Sequence, residues 1–156
     1  MTIVNTGIND QHREQLAQKL SCVLANTYFL YLKTQNFHWN VTGPYFYNLH
    51  KLFEEQYEEL ADAVDEIAER IRALGSRAPA SFKEFSSLTS IAESTEHLDW
   101  QTMVHQLQED HEFIARDARE MLALVNEAQD EATLSLLDDR FTAHEKHAWM
   151  LRNLLI

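Results

Sequence analysis

Apolar residues recur along this chain at the period of an α-helix in four long segments. The first is expected from about Asp10, read as its N-cap, to about Phe37, burying Leu16, Leu20, Val23, Leu24, Tyr28, Tyr31 and Leu32. Gly43-Pro44 then breaks the chain. The second runs from about Tyr45 to Leu74 with Leu49, Phe53, Leu60, Val64, Ile67 and Ile71 on one stripe; Gly75 supplies its C′ residue and Pro79 lies just beyond. The stretch from about Arg77 to Leu98 is polar and mixed, with one short helix expected at Ser81–Phe85. A third helix is expected over about Asp99–Asn126, burying Trp100, Val104, Leu107, Ile114, Met121, Leu122 and Val125, although Asn126–Asp130 carries neither Gly nor Pro to end it. The fourth, about Glu131–Leu154, buries Leu134, Leu137, Phe141, Ala148 and Leu151.

Helices of this length run roughly 40 Å each and are expected to pack as a four-helix bundle. The tight connection between the first two makes them an antiparallel hairpin, and the last two are expected to pair likewise. The insert of about twenty residues between the pairs is a long crossover. Residues 1–156 form one expected domain, with 1–9 as a short N-terminal extension.

Composition agrees with an all-α class. Three glycines and two prolines, against abundant Ala, Leu, Glu and Gln, favour long helices over sheets. The formal net charge of -12, from 25 acidic and 13 basic residues, repels nucleic acid and anionic membrane in the absence of a segregated basic patch, and none is visible. It favours cations. Cys22 is the single cysteine, which excludes an intrachain disulfide and fits a reducing compartment; it falls in the apolar pattern of the first helix and is expected to be a buried structural thiol. Residues 1–10 have neither the basic nor the apolar region of a signal peptide, and no later run is long enough to cross a bilayer, so the expected address is the cytoplasm.

The second helix carries His50, Glu54, Asp65 and Glu69. At about 100° per residue, with His50 as zero, they lie near 0°, about 40°, about 60° and about 100°, on one face. They form two i,i+4 pairs, each able to clasp one metal ion. His50 and Asp65 are nevertheless separated by roughly 22 Å along the axis, whereas the ligands of one ion lie about 2 Å from it. One chain cannot close both pairs on one site. An antiparallel copy across a two-fold axis brings His50/Glu54 of one subunit to Asp65/Glu69 of the other, twice per dimer. Any one of these acids taken alone reads as solvated surface; two pairs in register do not. His38, twelve residues before His50 on the neighbouring helix, joins the same constellation.

The run His38-Trp-Asn-Val-Thr-Gly, then Phe46, His50, Phe53-Glu54-Glu55, Tyr57, and Asp65-Glu-Ile-Ala-Glu69-Arg70 with Leu74-Gly75, resembles the signature of the Dps family of miniferritins. Lys146-His147-Ala148-Trp149-Met150 resembles the family's last helix, and the likeness extends from about Leu16 to Leu154. It implies a ferritin-like four-helix bundle assembled into a hollow dodecamer that oxidises Fe(II), preferentially with hydrogen peroxide, at ferroxidase centres on two-fold interfaces. Ferric mineral is then stored in the cavity, and DNA is protected by removal of iron and peroxide. Position by position, the implied ligands are His38, His50 and Glu54 from one subunit with Asp65 and Glu69 from its partner. The family usually has Asp where this chain has Glu54, whose extra methylene bears on affinity and on the balance between two metal positions.

Imidazole and carboxylate together suit Fe(II) and Fe(III) with positions left open for peroxide, and Zn(II) is the expected competitor. Trp39 has two readings, a radical interceptor beside the site and an aromatic plug in the hairpin. Asp130, Glu131, Asp138 and Asp139 read either as pore-lining carboxylates or as solvated surface. His105, His111, His144 and His147 fall on the third and fourth helices; His144 and His147 could make a second metal site, but core or surface histidines are the favoured reading for all four, since no acidic partner is identifiable from sequence. No histidine is preceded at three residues by Glu, which disfavours an intrasubunit di-iron bundle built on Glu-x-x-His. Family members that hold DNA directly use a lysine-rich or basic tail; none is visible here, and tight DNA binding is not expected.

Overall fold

Short polar side chains start most of the helices. Asn9 accepts a hydrogen bond from the His12 amide (2.8 Å), Ser81 from Glu84 (3.2 Å), Asp99 from Thr102 (2.7 Å) and Asp130 from Thr133 (3.0 Å), each satisfying an amide that the first turn leaves without a partner. The computed structural model describes residues 3–156; Met1 and Thr2, part of the expected N-terminal extension, lie outside the described residues. The helices are α1 (Asp10–Asn40), α2 (Phe46–Ala73), α3 (Phe82–Leu88), α4 (Trp100–Arg119), α5 (Leu122–Ala128) and α6 (Glu131–Arg152).

α1 pairs with α2 and α4 with α6, while α3, in the long crossover, packs on α1. The all-α bundle with a short crossover helix is therefore as expected. Gly43 makes the first hairpin possible: at φ +114° it adopts a conformation that side chains resist, and its carbonyl accepts the Phe46 amide (3.1 Å) that begins α2.

The core has two parts. Leu16, Leu20, Leu24, Ile67, Ile71 and Leu137 belong to one; Phe37, Phe53, Leu60, Met103, Leu107 and Leu151 belong to the other. Along α6, the buried polar residues Arg140 and His144 fall between Leu137 of the first part and Leu151 of the second.

Four expectations need correction. The helix expected at about Asp99–Asn126 is two helices, because the Glu120 and Met121 amides bond back only three residues, to Asp117 and Ala118 (3.2 and 3.1 Å). That tighter turn bends the chain where Met121 and Val125 both enter the core. Leu32 is 47% exposed, since it lies about 160° around α1 from Leu16; Leu30 and Phe37 fill the stripe instead. Cys22 is half-buried rather than enclosed, with its thiol pushed up by burial and then by Asp117. Asp10 lies inside α1, and Asn9 is the cap. Where Gly and Pro are lacking, α5 ends on Gln129 in a left-handed conformation (φ 54°).

Candidate metal centre

His38 lies in the last turn of α1, not beyond it, and His50 in the first turns of α2. The hairpin stacks their rings, with centroids 3.8 Å apart and planes 15° from parallel. Each ring bonds the other's backbone: His38 Nδ1–H donates to the His50 carbonyl at 2.7 Å, and His50 Nδ1–H to the His38 carbonyl at 2.8 Å. A carbonyl only accepts, so Nδ1 carries the proton in both rings and each Nε2 keeps its lone pair. This backbone support selects the tautomer that a metal ligand needs. Phe46 stacks on the far face of His50 (5.3 Å) and Tyr57 meets His38 edge-on (5.2 Å), fixing the pair laterally. His38 is buried and His50 half-buried.

Glu54 lies one turn beyond His50 and close enough for both imidazoles to bear on its carboxyl. Its first partner is Lys51, whose Nζ donates to Oε2 at 2.8 Å and holds the carboxyl below its ordinary value. Sequence reading missed that pair. Its signal was present in the i,i+3 spacing of opposite charges on one helix.

Asp65 and Glu69 stand exposed farther along α2, roughly 22 Å from the histidines at Asp65. The chain therefore stacks His38 on His50, with Glu54 one turn beyond and held by Lys51, and leaves Asp65 and Glu69 apart. No group of three or more His, Cys, Asp or Glu side chains among the described residues converges to hold a metal ion within one chain. The buried residues Phe53, Leu60, Ala63 and Ile67 line the opposite side of α2, so the His50–Glu69 face is turned away from the core.

Of the other candidates, Trp39 is 61% exposed and does not plug the hairpin. Asp130 is buried; Arg70 bonds both its oxygens (2.7 and 2.9 Å), which removes it from the set of free carboxylates. Glu131, Asp138 and Asp139 are exposed. His147 does have an acidic partner, Glu59 at 3.3 Å, which no local spacing could reveal because α2 supplies it. Among the described residues no helix is long and apolar enough to cross a membrane.

The Ferritin family model, a ferritin-like domain, matches residues 17–156. DNA protection during starvation protein 2 of Bacillus anthracis is 39% identical over 142 residues, covering 91% of this chain and 97% of that protein. Among solved structures, the Dps protein of Vibrio cholerae O1, described as a member of a broad superfamily of ferritin-like diiron-carboxylate proteins, superposes with a TM-score of 0.94 at 33% identity, covering 100% of this chain and 99% of that one. The Dps protein of Bacillus brevis superposes with a TM-score of 0.90 at 35% identity, covering 94% and 98%. With the bundle, the crossover helix and the paired histidines in place, the chain belongs to the Dps branch of the ferritin-like family.

Proposed function

We propose that this protein oxidises Fe(II) at sites shared between two subunits and stores the ferric product within a dodecameric shell. His38, His50 and Glu54 of one subunit face Asp65 and Glu69 of its partner, with α2 lying antiparallel to its copy. The observation that carries the proposal is the reciprocal bonding of His38 and His50, which leaves two Nε2 lone pairs available at one end of the α1–α2 hairpin while the acidic pair on α2 is out of intrachain reach. A constellation divided this way is complete only in a dimer.

Fe(II) is the substrate. Hydrogen peroxide is the preferred oxidant: two Fe(II) ions each give up one electron, the O–O bond breaks, and two hydroxides leave. Two metal positions beside one another match that two-electron demand, with imidazole and carboxylate accommodating both oxidation states. Zn(II) competes for the same ligands. Trp39, exposed beside His38, is placed to intercept radicals that escape. Residues 1–156 act as one domain, in the cytoplasm, protecting DNA by consuming iron and peroxide together and not by tight binding.

Subunit mixing tests this directly. A variant with His38 and His50 replaced by Ala, and another with Asp65 and Glu69 replaced by Ala, should each be inactive. Co-assembled shells should regain peroxide-dependent Fe(II) oxidation, because a mixed dimer holds one complete ligand set and one empty one. No recovery in verified mixed shells would refute shared ligands.

A further inference from the structure

On the core side of the bundle, far around α2 from the proposed ligands, three histidines meet a single ion pair. His111 comes from α4, His144 and His147 from α6, Glu59 from α2, and Arg140 from α6 one turn before His144. His111 is fully buried and His144 is 1% exposed.

The hydrogen bonds fix every proton in this group. Arg140 can only donate, so the His144 Nε2 that it meets at 3.2 Å must accept. The His144 proton is then on Nδ1 and is given to His111 Nδ1 at 2.8 Å. His111 therefore carries its own proton on Nε2, a buried atom without a partner among the described residues. From the other end, the Glu59 carboxylate accepts from His147 Nε2 (3.3 Å), which leaves His147 Nδ1 as an unpartnered acceptor. Arg140 also donates to Glu59 (3.1 Å), closing the chain back on itself. Arg140 Nε is a third buried atom without a partner among the described residues, and the two unpartnered imidazole nitrogens, a donor on His111 and an acceptor on His147, belong to rings 5.0 Å apart.

A metal site does not fit this polarity. A cation at His111 Nε2 would move that ring's proton to Nδ1 and, through His144, set an N–H against the Arg140 donor. An added proton on His111 or His144 is disruptive for the same reason: His111 Nδ1 is committed as acceptor from His144, and His144 Nε2 as acceptor from Arg140.

We propose that His111 and His144, held by Arg140 and linked through it to Glu59 and His147, form a proton-sensitive latch that joins α2, α4 and α6 only while these two buried imidazoles are neutral. The charges around the latch do not offset the extra proton. Glu59 is shared between Arg140 and His147; Arg119 is paired with Glu145 and Arg152 with Glu112; Lys33 of α1 is paired with Asp110, beside His111. Arg116 adds positive charge to the surface groove under which His111 and His144 lie. Burial first, then the neighbouring histidines and Arg140, hold both imidazoles well below their ordinary value.

The sign follows. A histidine kept neutral in the fold but free to protonate in the unfolded chain stabilises fully above about pH 6.5, and its contribution falls about tenfold in the folding equilibrium per pH unit below that. His111 and His144 together should give about a hundredfold per unit. The test is denaturant unfolding of the intact protein at fixed concentration from pH 7.5 to 5, beside a His111→Gln/His144→Gln variant. The wild type should lose stability steeply below pH 6.5 and the variant should not; equal slopes would overturn the latch. A second measurement needs no variant. Slow exchange at the imidazole C2–H, read by mass spectrometry, reports the protonation of each histidine in the native protein. His111 and His144 titrating at or above pH 6.5 would overturn the proposal, and titration well below it would support it.

Discussion

Lys51 grips the Glu54 carboxylate at 2.8 Å, from a position one residue beyond His50 and on the rim of the proposed iron site. The Glu54 side chain, one methylene longer than an Asp would be, reaches back to a lysine one turn earlier on the same helix. In the proposed site a metal ion at His38 and His50 would compete with Lys51 for the Glu54 carboxylate. If the proposed site forms, the Glu54–Lys51 pair acts as a brake on one metal position.

Lys51→Met should release the brake. Zn(II) titrated calorimetrically into the apoprotein should bind several-fold more tightly in the variant, with unchanged stoichiometry. Glu54→Asp should have the same direction, because the shorter carboxylate loses its reach toward Lys51. Weaker binding in both variants would show that Lys51 assists the site.

His38→Phe keeps a ring stacked on His50 but removes one proposed ligand and the donor to the His50 carbonyl. Loss of second-shell support alone typically costs about 10–100-fold in metal affinity or activity, so the loss here should be at least that large. Initial rates of peroxide-driven Fe(II) oxidation give the comparison, and Zn(II) added to the wild type should inhibit in the same assay.

Arg70 and Asp130 tie α2 to the start of α6, and the Asp130 side chain is almost wholly enclosed. Arg70→Met leaves that carboxylate buried without its counterion, a change that costs about 3 kcal/mol. Chemical denaturation should show the loss near neutral pH. It should shrink in strong acid, where Asp130 is protonated whether or not Arg70 is present.

The carboxylates and the histidines should separate along the pH axis. Burial alone would raise the Glu59 carboxyl, but hydrogen bonds from His147 and Arg140 and the charge of Arg140 bring it down to about 2. Its contribution is therefore complete above the ordinary glutamate range, near pH 4.3, and is lost only as the pH falls toward 2. Glu59→Gln should remove acid sensitivity in that lower window. A stability profile in wild-type protein with one step below pH 6.5 and another below about pH 4.3 would distinguish the two groups.

Much of this architecture is legible in the chain. Leu49, Phe53, Leu60, Ile67 and Ile71 mark the buried stripe of α2, and the same periodicity places His50, Glu54, Asp65 and Glu69 on its other side. The misreadings have physical origins. The bend at Glu120–Met121 is made by shorter backbone bonds that demand neither Gly nor Pro. Gln129 takes the place at a helix end where glycine would have been the readable sign. Asp130 looked like a surface acid because its counterion is sixty residues earlier, on α2.

The sequence alone determined which faces of the helices are mainly apolar and that one helix carries two ligand pairs, His50/Glu54 and Asp65/Glu69, too distant to meet; these depend on rise and rotation per residue, which are the same in every α-helix. Only the tertiary structure decided the protonation of the nitrogens. The tautomers of His38 and His50 follow from carbonyls across a turn, and those of His111, His144 and His147 from one arginine and one glutamate on different helices. A hydrogen bond between distant segments is a property of how they are packed, and no spacing along the chain encodes it.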